Sequence, residues 1–160
     1  MTELNRRLAA LEARLSGLED EREIAAVIAS YGPLVDDGAA DEVGALWTGD
    51  GVYEVDDYMM DGASAVTEMV RSGPHQTLIA GGCAHFQGPS HVTVDGDTAV
   101  AVGYSLLVVH RDGRFAVARA TANHWELHRT SAGWRVHRRT SRLLDGRSEA
   151  HDLIARPLKD

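Results

Sequence analysis

The chain of 160 residues holds a single cysteine, Cys83, only two phenylalanines and four prolines, and no apolar run long enough to span a bilayer. One thiol excludes an internal disulfide and fits a reducing compartment. The N-terminus "MTELNRRLAALEARL" alternates charge with Leu and does not resemble a signal peptide, so the cytoplasm is the expected location. Net positive charge is also lacking. A formal net charge of −8 argues against nucleic acid as the main partner, and nothing points to a membrane.

Basic residues are scarcest in the first half. Residues 19–68 hold fourteen acids and one base, Arg22, whereas residues 108–147 hold nine arginines against Asp112, Glu126 and Asp145. Either the two halves complement each other across the fold or between subunits, or the arginines line a mouth for an anionic substrate tail. Mutual pairing is the commoner arrangement.

The remaining composition, 44% hydrophobic and 25% charged, is that of one ordinary globular domain, with no internal repeat or low-complexity segment. Met1, Leu4, Leu8, Leu11, Leu15 and Leu18 form a short heptad stripe, marking residues 1–19 as a helical extension that packs on a partner subunit or on its own domain. Ile24, Ile28, Tyr31 and Val35 continue the helix with a core-facing stripe. Gly32-Pro33 interrupts this pattern, and Gly38 ends it. "DEVGALW" reads as a second helix, "GVYEV" as a first strand, and "GASAVTEMVRSG" as a third helix closed by Gly73-Pro74.

From His91 onward the chain is strand-rich, with turns expected at Asp95-Gly96, Asp112-Gly113 and Ala132-Gly133. Helices followed by an antiparallel meander predict an α+β domain over residues 20–147, with helices stacked on one face of a curved sheet and a tail at 148–160. Alternation places Thr98, Val100, Val102, Tyr104, Leu106, Val108 and His110 on one strand face. Phe115, Val117, Arg119, Thr121, Asn123, Trp125 and Leu127 share a face of the next strand, so the sheet encloses either a core or a pocket.

Two acids, Asp36 and Asp37, close the first helix, where the macrodipole disfavours negative charge. Asp37 is a candidate cap for the following helix. Asp36 has no such role: it is either a solvated surface acid or the partner of a histidine. In "GCAHFQGPSHVTVDGD", residues 82–97, His85 and His91 flank a Gly-Pro break, and a histidine at the mouth of a sheet is either a surface residue or a base.

The order of elements, the segment from Tyr31 to Asp36, "AHFQG", "GYSLLVVH" and "ANHWELHRTSAGWRVH" resemble the SnoaL-like branch of the nuclear transport factor 2-like superfamily over roughly residues 20–145. Scytalone dehydratase and the bile-acid 7α-dehydratases are the members it is most similar to. The resemblance implies a cone-shaped α+β barrel, with helices on the concave face of a curved antiparallel sheet and a pocket inside. It also implies that Asp36 and His85 are the catalytic aspartate and histidine, with His110 a second pocket histidine and Asn123 a substrate contact. Tyr31 stands five residues before Asp36, as in the bile-acid enzymes. Scytalone dehydratase has its tyrosine directly before the aspartate, where this chain has Val35.

On this reading Asp36 accepts one imidazole N–H of His85, fixes its tautomer and raises the basicity of the other nitrogen. Tyr31 then donates to the substrate's carbonyl or leaving oxygen, and Tyr53, Tyr104, His110, Asn123 and Arg142 complete the expected substrate contacts. Arg138 and Arg142 share a face with Trp134 and Val136, and either meets a substrate oxygen or pairs with the acidic half. No cofactor and no metal is expected: His124 and His128 stand roughly 13 Å apart along a strand, His91 is exposed, and Cys83 is a small buried hydrophobe.

The expected function is a cofactor-independent lyase of dehydratase type, acting on a mostly apolar cyclic substrate. The alternatives are an isomerase or polyketide cyclase using the same dyad, or a small-molecule binding protein without turnover. A homo-oligomer, dimer or trimer, is expected from the leucine stripe.

Overall fold

The computed structural model describes residues 2–159, so Met1 of the leucine stripe and Asp160 of the expected tail lie outside the described residues. Helix α1 (Glu3–Asp36) is capped by Thr2, whose hydroxyl accepts from the Asn5 amide, and is followed by the short α2 (Ala40–Gly44). Strands β1 (Trp47–Val55) and β2 (Tyr58–Asp61) form a hairpin, followed by α3 (Ala63–Arg71) and α4 (Gly73–Gly81). The meander β3 (Cys83–Asp95), β4 (Thr98–Arg111), β5 (Arg114–Thr130) and β6 (Gly133–Leu143) leads to α5 (Ser148–Lys159).

The six strands make one curved, unclosed sheet in the order β2-β1-β6-β5-β4-β3, antiparallel throughout except for β1 beside β6. The α+β cone expected from the sequence is therefore present. Turns fall where predicted; Asp112 and Gly113, at φ 51° and 70°, supply the left-handed pair that a two-residue hairpin requires.

The first helix differs from expectation in its continuity. Pro33 sits inside α1 without ending it, and residues 3–36 form one rod, about 50 Å long at 1.5 Å per residue. Its C-terminal half buries Ile24, Ile28, Tyr31 and Val35, whereas Leu4, Leu8, Leu11, Leu15 and Leu18 are exposed. Asp37 closes α1 rather than capping α2, whose cap position is Ala39. Gly73-Pro74 does not merely stop α3: it opens α4, with proline in the first turn where its missing N–H costs nothing.

The core gathers Ile24, Ile28, Val35, Val43, Trp47, Val66, Trp125, Leu127 and Trp134 between the helices and the concave face. Arginine and acid pair across the two halves, as the charge distribution suggests. Arg129 makes a bidentate bond to Asp20 at 2.7 and 2.8 Å, Arg119 pairs with Asp56, and Arg138 and Arg142 pair with Glu54.

Two irregularities fix the orientation of the inward face. The β3–β4 register shifts at Gly88-Pro89, so "AHFQGPSH" is one bulged strand and His85 lies inside β3 rather than before it. The β5–β6 pairing skips His137: Leu127 faces Val136, whereas Glu126 faces Arg138. This bulge reverses the alternation of β6. Trp134 and Val136 point inward before it, and Arg139 and Ser141 point inward after it. Arg138 and Arg142 consequently leave the face they were expected to share with Trp134.

Candidate active site

Asp36, the last residue of α1, faces β3 across a very close contact. A Cβ built on Gly32 would lie 2.0 Å from the carbonyl oxygen of His85, so only glycine lets the helix approach the strand here. One turn later the Asp36 carboxylate meets His85 twice. Its Oδ2 accepts the His85 backbone N–H at 2.8 Å, and its Oδ1 lies 2.6 Å from the ring Nδ1. The Cys83 thiol donates to the same Oδ1 at 3.3 Å. These donors offset the unfavourable position of a carboxylate at a helix C-terminus. With Nδ1 held as the donor, Nε2 of His85 is left as the basic nitrogen.

Both side chains are largely buried, and His85 lines a cavity of about 250 Å³ on the concave face. Tyr31 and Tyr53 line it too, with Met60 and Met69 as apolar wall. Tyr31 stands edge-on to the His85 ring, centroids 6.4 Å apart, and edge-on to Trp47, Tyr53 and Trp125. Burial, reinforced by neighbouring Tyr53, holds its phenol well above the usual tyrosine range, with Arg139 opposing. Tyr31 therefore keeps its proton and is available as a donor at any working pH.

Two groups at the cavity carry no strong signal in the sequence. His75, in the first turn of α4, stacks on His85 with ring centroids 5.4 Å apart, and its buried Nε2 has no hydrogen-bond partner among the described residues. Burial and then the neighbouring His85 lower its pKa against the pull of Asp36, so it stays neutral. Arg139 is 2% exposed and is enclosed by the rings of Tyr31, Tyr53 and Trp125, with Cζ 4.5, 4.5 and 4.1 Å from their centroids. Nothing short of the β6 bulge singles Arg139 out among the nine arginines of residues 108–147.

The other expected contacts divide. Asn123 is buried but stands behind the cavity wall: its Oδ1 accepts from Arg139 at 3.0 and 2.8 Å, and its Nδ2 donates to Ser105 at 2.9 Å. Tyr104 and His110 do not reach the cavity. The inward residues of β4 are the alternate set Ala99, Ala101, Ser105 and Val109, which leaves Tyr104 exposed and His110 outside against Phe115. Arg142 is also outside, bound to Glu54 beneath α5, because the His137 bulge turns it outward.

Spacing along the sequence shows no metal cluster, but folding makes one candidate: ligand atoms of Asp36, Cys83 and His85 lie within 4.8 Å of one another. The chemistry of the set disfavours an ion. Both carboxylate oxygens already accept hydrogen bonds, Nδ1 is committed to Asp36, and burial followed by the bond to Asp36 raises the thiol to about 11. A metal would have to replace each of these bonds and ionise a reluctant thiol.

Residues 16–140 match the SnoaL-like domain family. An NTF2-like protein with a cystatin-like fold from Novosphingobium aromaticivorans is 45% identical, with a TM-score of 0.89 covering 91% of this chain and 96% of that one. A candidate aromatic ring hydroxylase from the same organism is 25% identical, at a TM-score of 0.66 over 79% of this chain and 90% of that one. Rv3472 of Mycobacterium tuberculosis, a protein of unknown function, shares the fold at 18% identity and a TM-score of 0.72, covering 94% of this chain and 81% of that one. No curated protein matches the chain. With its helix-capped cone, its one-sided cavity and this match over most of its length, the chain belongs to the SnoaL-like domain family of the nuclear transport factor 2-like superfamily.

Proposed function

We propose that the protein is a cofactor-independent lyase of dehydratase type, acting in the cytoplasm on a mostly apolar cyclic substrate. The observation that carries this reading is the 2.6 Å contact between His85 Nδ1 and Asp36 Oδ1 beside the cavity. Nε2 of His85 removes a proton from carbon next to an activating carbonyl, and Asp36 stabilises the imidazolium that forms. The Tyr31 phenol donates to the carbonyl or to the departing oxygen, which leaves as water after taking a proton from His85. Apolar walls of Met60 and Met69 suit a hydrophobic ring.

His75 favours isomerisation as the second reading. A neutral imidazole stacked on the base, with Nε2 free of any partner among the described residues, is a second station for the abstracted proton. Lyase and isomerase share the first step, so one experiment tests both: proton NMR of 2-tetralone in D2O, following exchange at the carbon next to the carbonyl. The protein should accelerate exchange over buffer, and His85→Ala should abolish the acceleration. Equal exchange with wild type and His85→Ala would leave only a binding role for the pocket.

Assembly as a homo-oligomer, dimer or trimer, belongs to the same reading. The five leucines of the N-terminal half of α1 are all more than half exposed.

A further inference from the structure

The guanidinium of Arg139 is a buried cation without a counterion among the described residues. Its acceptors are neutral amide oxygens: Asn123 Oδ1 at 3.0 and 2.8 Å, and Gln87 Oε1 at a long 3.4 Å. Nη1 has no acceptor among the described residues. The six ion pairs made by the other arginines of β5, β6 and the segment after them do not extend to Arg139.

Enclosing a charge in this way is costly, and an apolar side chain of similar volume would fill the space at lower cost. The surroundings nonetheless hold the charge in place. Three aromatic faces stabilise it by cation–π contact, and Thr121, Ser105 and Asn123 form a hydrogen-bonded chain that ends on its Nε. The aromatic cage fixes the position of the cation while leaving its charge uncancelled.

We propose that Arg139 is the specificity-determining residue of this cavity and that it selects a planar, conjugated substrate bearing an oxyanion, whose negative oxygen supplies the counter-charge that the guanidinium lacks. The inference rests on the proposed function only in sharing its cavity. It names the substrate class: a ring oxygen that is charged when bound, or becomes charged as His85 withdraws a proton from the conjugated carbon. Arg139 and His85 both flank Tyr31, one 4.5 Å over its ring and the other 6.4 Å from its centroid, so a flat ring beside Tyr31 presents its oxygen to one and its C–H to the other. The planar guanidinium suits an oxygen in the plane of the ligand ring.

Binding without turnover tests this at pH 9, using 4-nitrophenolate, its neutral methyl ether 4-nitroanisole, and 4-nitrobenzoate, followed by the visible band of the phenolate and by calorimetry. Wild type should bind 4-nitrophenolate roughly ten- to a hundredfold more tightly than the ether, the span expected for a hydrogen bond to a charged group. Arg139→Met should lose that preference, Arg139→Lys should keep part of it, and His85→Ala should still favour the phenolate. Tighter binding of 4-nitrobenzoate than of the phenolate would place the charge on a carboxylate substituent and overturn the ring-oxygen assignment. Equal affinity of wild type for phenolate and ether overturns the proposal and needs no variant to fold. So does a preference that survives in Arg139→Met and vanishes in His85→Ala. Because His85→Ala cannot exchange protons yet should still discriminate the phenolate, failure here and failure of the lyase reading are distinguishable.

Discussion

Asp36 holds His85 by backbone and ring together: one carboxylate oxygen accepts the amide at 2.8 Å and the other faces Nδ1 at 2.6 Å. The pair therefore behaves as one unit. Once His85 is gone Asp36 has nothing left to orient, so His85→Ala and the double variant should lose similar activity in the 2-tetralone assay, on the order of several powers of ten. Asp36→Asn should keep the fold and lose much of the rate, because an amide supplies no charge. Tyr31→Phe should be milder, on the order of a hundredfold. His85→Ala retaining most of the exchange would remove His85 as the base.

Gly32 sets the distance between α1 and β3, so Gly32→Ala should separate catalysis from folding. A Cβ 2.0 Å from a main-chain oxygen cannot be relieved by a rotamer, and the helix must move. The expected cost is about 1–3 kcal/mol, or several degrees of melting temperature by calorimetry. Activity should fall by more than the lost folded fraction explains, because Asp36 moves with the helix. An alanine variant with unchanged exchange rate would show that the dyad tolerates this displacement.

Acid stability should depend on Asp20. Hydrogen bonds from Arg129, then from Trp134, hold its carboxyl below the ordinary value of 3.8. A depressed folded-state pKa stabilises the fold above the unfolded value, and that contribution disappears as pH falls through the folded value. Wild type should thus lose stability in the range below about pH 4 through this group. Asp20→Asn should be less stable at pH 7 by chemical denaturation, with a shallower acid dependence. Parallel pH profiles of the two proteins would exclude the pair as a source of acid sensitivity.

Leu8→Glu and Leu15→Glu should shift the sedimentation of the protein toward monomer while leaving its helicity intact, because both positions are exposed on α1. A wild-type protein that already sediments as a monomer at micromolar concentration would remove the oligomer from the proposal.

Much of the fold is legible in the sequence. The order of helices and strands, the turns at Gly96 and Gly113 and the pairing of an acid-rich half with an arginine-rich half follow from periodicity, turn chemistry and charge. The acid at position 36 stands out because a helix C-terminus is the wrong place for it. Legibility fails where the inward face of a strand has to be chosen without its neighbours, and where alternation is counted through a defect. Periodicity alone puts Tyr104 and His110 on an inner face, although β4 points the opposite set inward. Counting β6 straight through His137 likewise puts Arg142 in the cavity. A bulge leaves no residue signature in β6. His75 and Arg139 carry no signal for the related reason that burial of a polar side chain is decided by distant elements.

The bulge at His137 makes the polarity of the cavity a matter of counting. In a strand, the side a residue takes is its parity, and one unpaired residue exchanges odd for even from that point onward. Arg138, Arg139 and Arg142 are close in sequence, and their division into two outward cations and one enclosed cation is decided by a single extra peptide unit in β6 rather than by any difference among the three. Pairing His137 rather than skipping it would keep the composition, the charge and the whole sequence, yet the strand would slip by one and present a different set of groups to whatever enters. In this fold a one-residue change of strand register is therefore as powerful a route to new ligand preference as replacing the side chains that line the wall.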